Sequence, residues 1–425
     1  MGEFIEWGSI KVLTKTPSTA IIAPMLQREI YLKRLRPAYH DELIKVITGM
    51  RRSGKSILLR QIQNELLAQG IAPSRLLTFN FEDISLDKYI ADPLLLHTHI
   101  KTRLTGTDKY YLFFDEIQLL PGFERIINSL RATSNVSIFI TGSNSQLLAG
   151  ELATLLSGRY LSLQLFPFCF REFLQFHQVA AADYRSAFDD YLLWGGLPFV
   201  ASTTSREEKA SYIQDLFNSI VLRDVVERHK IKNTLLLNRI IQYLLINLGH
   251  EFSANSISRF LKNEHADETS VDTIISYLAY LDEAMFTQKI SRFDVHGKAV
   301  MKTLEKHYLA DLAFMRLSKD KREAYRPGRL ENVVCLELLA RGQKVYTGKT
   351  KTGEIDFVSF DQDNHATYYQ VASRLLDPAT SEREFGAFDD VKDHYPKVVL
   401  SEDTFDYSRQ GIRHYNLIDW LTREP

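Results

Sequence analysis

The sequence predicts an α/β protein: a parallel sheet covered by helices on both faces, then a mostly helical middle, then a small mixed module. Three observations carry this. Up to Leu165, short apolar runs alternate with longer amphipathic ones. From Phe168 to Met315 strand-like runs are few. Beyond Pro327 one helix is followed by several short strand patterns. Continuous apolar strands alternating with helices are the pattern of a parallel sheet buried on both sides.

The elements follow in order. Residues 43–48 form the first expected strand. A helix over 55–69 comes next, with Ile57, Leu58, Ile62, Leu66 and Leu67 near helical spacing. Further strands are predicted at 75–81, 110–114 and 136–140, with helices at 94–104 and 123–132. In the middle, 235–248 is an apolar helix. Residues 253–262 and 270–281 form a helix–turn–helix, with Ser253 and Ser270 as N-caps. Residues 285–292 and those near Lys298 supply two wing strands. Last come a helix over 330–341 and strands at 344–347, 354–360, 367–371 and 397–400. Residues 348–353 and 361–365 are turns or loops between them.

Composition narrows the class. The chain has 425 residues, 45% hydrophobic and 25% charged, as folded proteins do, which excludes disordered, collagenous and coiled-coil chains. At about 150 residues per domain it holds roughly three domains. Cys169 and Cys335 are too few for a disulfide framework and too far apart for a metal knuckle. No apolar run reaches the length of about 18 residues that a membrane span needs. The first residues include Glu3 and Glu6 and lack a signal-peptide layout, so the expected location is the cytoplasm. Net charge is −1, distributed as +2 over 1–205, 0 over 206–302 and −3 over 321–425. Any nucleic-acid binding must come from local clusters, since no segment is strongly basic.

The strongest motif is Gly49-Met50-Arg51-Arg52-Ser53-Gly54-Lys55-Ser56, which fits G-x-x-x-x-G-K-[ST] between a predicted strand and a predicted helix. Glycines let successive backbone N–H groups curl around an anion, and the helix N-terminus adds a favourable dipole. Gly49, Arg52, Ser53, Gly54, Lys55, Ser56 and Ile57 are therefore the expected ATP-binding residues. Lys55 reaches the β- and γ-phosphates, and Ser56 is a ligand for Mg2+. A second apolar strand ends in Asp115-Glu116. Asp115 is expected to hold Mg2+ through water, and Glu116 to polarise the attacking water. Two adjacent acids point to ATPases with a strand inserted between the P-loop strand and its neighbour. A third strand ends in Thr141-Gly142-Ser143-Asn144, placing Ser143 and Asn144 near the γ-phosphate, with Asn144 the preferred sensor. Arg159 is the preferred arginine finger, in cis or in trans, ahead of Arg131 and Arg223.

The order GMRRSGKS, FFDE, ITGSNS, LSGRYLSLQLFPFCFREFL, followed by YLLWGGLPFV, LRDVVERHKI and EIDFVSF, resembles the AAA-type ATPases of archaea and bacteria that carry a C-terminal domain of unknown function. The resemblance implies an AAA+-like ATPase core, a winged-helix segment and a nuclease-like C-terminal fold. The expected division is a P-loop domain with an N-terminal extension over 1–165, a helical lid or linker over 166–232, a winged helix over 233–326 and a nuclease-like module over 327–425.

The predicted recognition helix carries Asp272, Asp282 and Glu283 and no Arg or Lys, which argues against base reading. Backbone contacts could use Arg223, Arg228, Lys230 and Lys232, or Lys298 and Lys302 at the wing. The last module resembles restriction-type nucleases, which need acids on a helix and a strand and then an acid-x-Lys. Here Glu331 or Glu337, Asp356 and Gln370 fill the acid positions, and Ala372 stands where the lysine belongs. The expectation is a degenerate nuclease site. Three functions remain: an ATP-driven ring, a hexamer or larger, acting on DNA by structure and not by sequence; an ATP-gated nuclease; and a nucleotide-dependent switch for protein partners.

Overall fold

The computed structural model describes residues 26–145, 158–263, 269–318, 326–351 and 353–424. Strands β1 (Ile44–Thr48), β2 (Leu76–Asn80), β3 (Tyr110–Asp115), β4 (Val136–Gly142) and β5 (Tyr160–Gln164) form a parallel sheet in the order β2-β3-β4-β1-β5. Every residue of β1, β3 and β4 is buried, which is why these strands read as unbroken apolar runs. Alternate side chains serve opposite faces. Val46, Leu112, Phe114, Ile138 and Ile140 pack with Leu96, Ile100, Ile127 and Leu130 of the helices Pro93–Arg103 and Phe123–Thr133. Ile47, Tyr111, Phe113 and Phe139 pack with Leu58, Ile62 and Leu66 of the helix Lys55–Ala68. The sequence pattern did not predict β5. Its residues are only partly buried, as on an edge strand, so no continuous apolar run marks it.

The middle is helical. Helix Arg206–Ser219 runs into a π-helical stretch, Ile220–Glu227, and Thr234–Ile246 follows. Gly195 and Gly196 weld this region to its neighbours. A Cβ at Gly195, whose φ is +71°, would lie 1.7 Å from Asp311 Oδ1, and one at Gly196 would lie 2.0 Å from the Phe168 carbonyl oxygen. The Gly196 N–H donates to Asp311 Oδ2 at 2.8 Å.

Helices Ala254–Asn263 and Val271–Glu283 follow, then a hairpin of β6 (Thr287–Asp294) and β7 (Ala299–Leu309). Ser270 caps the second helix, accepting from the Thr273 N–H at 3.1 Å. The hairpin is an edge of the C-terminal sheet, because β6 pairs in parallel with β8 (Lys344–Lys349). With β9 (Glu354–Phe360), β10 (Ala366–Val371), β11 (Lys397–Ser401) and β12 (Arg413–Asn416), the order is β12-β11-β10-β9-β8-β6-β7. Helix Arg326–Ala340 packs against this sheet. Both cysteines are buried and unpaired. Among the described residues no helix is long and apolar enough to cross a membrane.

Candidate active site

The P-loop occupies residues 49–54, between β1 and the helix Lys55–Ala68. Gly54 takes φ +102°, a conformation open to glycine, and Arg52 is also left-handed at +65°. Gly49 has no room for a side chain: a Cβ would lie 2.4 Å from the Leu165 carbonyl oxygen. Lys55 Nζ donates to the carbonyls of Gly49 (3.0 Å) and Met50 (3.3 Å). The Ser53 hydroxyl is buried without a hydrogen-bond partner, whereas Ser56 is exposed in the first helical turn and Ile57 is half-buried. A glycine cradle, an orphaned buried hydroxyl and a helix N-terminus suit a phosphate. The residues present therefore fit a nucleoside triphosphate, with Ser56 and Asp115 available for its Mg2+.

The loop is held from behind. Arg28 is buried and donates to the carbonyls of Ser53 (3.2 Å) and Phe166 (2.8 Å) and to Glu172 Oε1 (2.7 Å). It is also clamped from outside. Arg51 Nε donates to Asp224 Oδ2 at 2.8 Å and its Nη2 to Oδ1 at 3.3 Å, so the π-helical stretch grips the P-loop.

β4 lies between β1 and β3, as the paired acids predicted. The Thr141 hydroxyl donates to Asp115 Oδ1 and accepts from the Glu116 N–H at 3.0 Å, setting both acids. Glu116 takes φ +52°, uncommon for a residue with a side chain. Its Oε1 lies 3.3 Å from Lys55 Nζ. Gln118 Nε2 donates to Glu116 Oε2 and, at 3.3 Å, to the Ser143 hydroxyl. Burial opposes ionisation of Glu116. The charge of Lys55 and hydrogen bonds involving Gln118, Lys55 and Ser143 outweigh it and hold the carboxyl below its usual range. Glu116 is thus an ionised carboxylate at neutral pH. Ser143 and Asn144 are buried at the end of β4.

Arg159 is exposed and immediately precedes β5, whose Tyr160 pairs with Ile44 at the start of β1. It therefore sits at the opposite end of the sheet from its own P-loop, a strand length of about 13 Å or more. That placement leaves Arg159 a role in trans only. Arg131 is in the last turn of a helix leading to the start of β4, at that same end. Arg223 lies beside Asp224.

The basic clusters separate. Arg223, Lys230 and Lys232 are exposed and Arg228 is half-buried. Lys298 pairs with Asp393 at 2.8 Å, and the Lys302 side chain lies outside the described residues. In the C-terminal module it is Glu331, and not Glu337, that joins Asp356. Six residues are 1.7 helical turns, so the two glutamates face different ways. Glu337 instead pairs with Arg341 at 2.7 Å. Gln370 uses its oxygen to accept from the Asp356 N–H (2.6 Å) and its nitrogen to donate to Glu384 (2.9 Å). Sequence reasoning missed Arg28, Thr141, Gln118 and the Arg51–Asp224 clamp. Thr141 stood inside a motif already singled out and Gln118 two residues beyond one; Arg28 and Asp224 had no local signal.

This fold and site define a P-loop ATPase of the AAA type. A family described as an AAA domain matches residues 41–174, and one described as a domain of unknown function (DUF8612) matches 185–322. An uncharacterized protein of Haemophilus influenzae is 36% identical over 401 residues, covering 93% of this chain and 98% of its own. One from Methanocaldococcus jannaschii is 31% identical over 385 residues, covering 86% and 81%. The chain belongs to the AAA-type ATPase family of archaea and bacteria that carries a C-terminal domain of unknown function. Among solved structures, the Aeropyrum pernix ORC2 protein aligns with 62% of this chain and 85% of its own at 14% identity and a TM-score of 0.38. That likeness is too slight to inform function.

Proposed function

We propose that the protein hydrolyses ATP with Mg2+ and uses the cycle, in a ring of subunits, to act on DNA without reading its sequence. The observation that carries the chemistry is the Lys55–Glu116 pair, 3.3 Å apart, joining the start of the helix Lys55–Ala68 to the end of β3. Lys55 exchanges loop carbonyls for phosphate oxygens. Glu116, ionised and held by Gln118, accepts a proton from the attacking water. Ser143 and Asn144 orient that water and sense the terminal phosphate. Ser56 and Asp115 would hold Mg2+, which would supply charge neutralisation on the phosphates. Arg159 of a neighbouring subunit completes the charge stabilisation.

The DNA part rests on Arg223, Lys230 and Lys232, which are exposed and make no ion pair among the described residues. Base reading is disfavoured: helix Val271–Glu283 ends against the core, with the Ser145 hydroxyl donating to the Glu283 carbonyl at 3.4 Å. The same acidic docked helix favours a second reading, a nucleotide-dependent switch for protein partners. The test is ATP turnover with and without duplex, branched and single-stranded DNA. Stimulation that falls in a Lys230→Glu, Lys232→Glu variant supports DNA action; indifference to all DNA selects the switch.

A further inference from the structure

The C-terminal sheet contains a buried acid cluster that the ATPase chemistry does not use. Lys306, on β7, is almost fully buried, and three carboxylates surround its ammonium. Glu354 Oε1 lies at 2.5 Å, Glu331 Oε2 at 3.3 Å and Asp356 Oδ1 at 3.8 Å. These acids come from β9 and the helix Arg326–Ala340, and Lys306 reaches them from the hairpin at the edge of the sheet. Two of them are tied further: Tyr308 OH also donates to Glu331 Oε2 at 2.9 Å, and the Val371 N–H donates to Asp356 Oδ2 at 2.8 Å. Among the described residues, only the exposed Asp361, Asp363 and His365 offer three such ligand atoms within 4.8 Å of one another. With the ammonium between them, the acids around Lys306 are spread about it.

Three clustered carboxylates, Glu331 buried and Glu354 and Asp356 half-buried, must meet positive charge or keep protons. Burial raises Asp356 well above the carboxylate range, helped by the charge of Glu331 and opposed by Lys306. Glu331 is also raised by burial against the pull of Lys306. Lys306 is thus the cation that these three carboxylates share. A divalent metal ion is the other species that could answer this charge, and it would need the position of the ammonium.

We infer that Lys306 is a built-in cation: its ammonium fills an acid cluster that would otherwise take a divalent metal ion, so the C-terminal module is not a metal-dependent phosphodiesterase. This stands apart from the ATPase reading. The lysine missing at Ala372 is replaced in charge by Lys306 from β7, in a position that shuts out the metal. The ammonium also pins the β6–β7 hairpin to the rest of the sheet.

The test uses Mn2+ as the probe and full-length protein without nucleotide, so that failure of the ATPase reading does not affect it. Bound Mn2+ is measured by electron paramagnetic resonance in wild type, Lys306→Met and Lys306→Arg. Wild type and K306R are expected to take up no Mn2+ beyond a weak level common to all three. K306M is expected to bind it stoichiometrically and to regain several degrees of lost Tm. If K306M does not fold, the wild-type titration still decides. Wild-type protein that binds Mn2+ with loss on Glu354→Gln, or that cuts DNA in Mg2+ or Mn2+, would overturn the inference. So would folded K306M that ignores Mn2+.

Discussion

The P-loop and the C-terminal acid cluster are both a lysine facing carboxylate, and they do opposite things. Lys55 meets one carboxylate and two carbonyls of a curled loop, with Ser56 exposed beside it. In the proposed cycle these partners are exchanged for phosphate oxygens. Lys306 meets three carboxylates held by a strand and a helix, two of them tied by further hydrogen bonds. It cannot leave without stranding buried charge. Residue type alone therefore does not separate a working site from a closed one. The number of acids and the freedom of the lysine do.

Breaking the two sites should give different losses. Lys55→Ala removes the ammonium proposed to hold the phosphates. Nucleotide binding, followed with a fluorescent ATP analogue, is expected to fall below detection while the Tm stays near wild type. A large Tm loss would mean that Lys55 is structural, like Lys306. Lys306→Met should do the reverse: about 3–5 kcal/mol of stability lost in denaturant unfolding, the usual cost of breaking a buried pair, with ATP still bound. Unchanged stability would remove the contrast.

The clamp between Arg51 and Asp224 sharpens the comparison, because it is a part-buried ion pair at the open site. Asp224→Asn weakens a bidentate charge-assisted contact and should cost about 1–3 kcal/mol. ATP turnover is expected to fall several-fold, since the loop loses its outer support. Turnover equal to wild type would show that the π-helical stretch does not position the P-loop.

The smallest effect is in pH dependence, where the two regions should differ in sign. Burial and the nearby Glu354 push Glu251 up to about 7, against the charges of Arg292 and Lys306. Its ordinary value is 4.5, so between there and about 7 the folded protein holds a proton that the unfolded chain has released. That group lowers stability as pH rises through the window. Glu116 is depressed, so its contribution is present above its ordinary value and fades as pH falls. The Tm of Glu251→Gln is expected to decline less than that of wild type from about pH 5 to 7. Parallel curves would contradict the assignment.

Much of the core was legible because its signals are local. The P-loop, the acid pair and four of the five core strands are contiguous patterns, and burial on both faces makes β1, β3 and β4 unmistakable. The fifth, β5, alternates and lies on an edge, so its pattern is weak. What the sequence hid is pairing over distance. The residues of β6 and β7 read as strands, but nothing local says that β6 lies beside β8. Without that pairing Lys306 is one lysine among many, and Ala372 looks like a simple loss. Arg51 and Asp224 stand in different predicted domains, so their clamp was invisible. The choice between Glu331 and Glu337 needed the rotation of the helix against the sheet.

The central claim is that Glu116 is the base for water at a site where Lys55 holds the phosphates. The direct measurement is ATP binding and single-turnover hydrolysis in Glu116→Gln, which keeps shape and removes the charge. The account predicts ATP bound as in wild type and hydrolysis slowed by about 10²–10⁴-fold. Hydrolysis at the wild-type rate would contradict it.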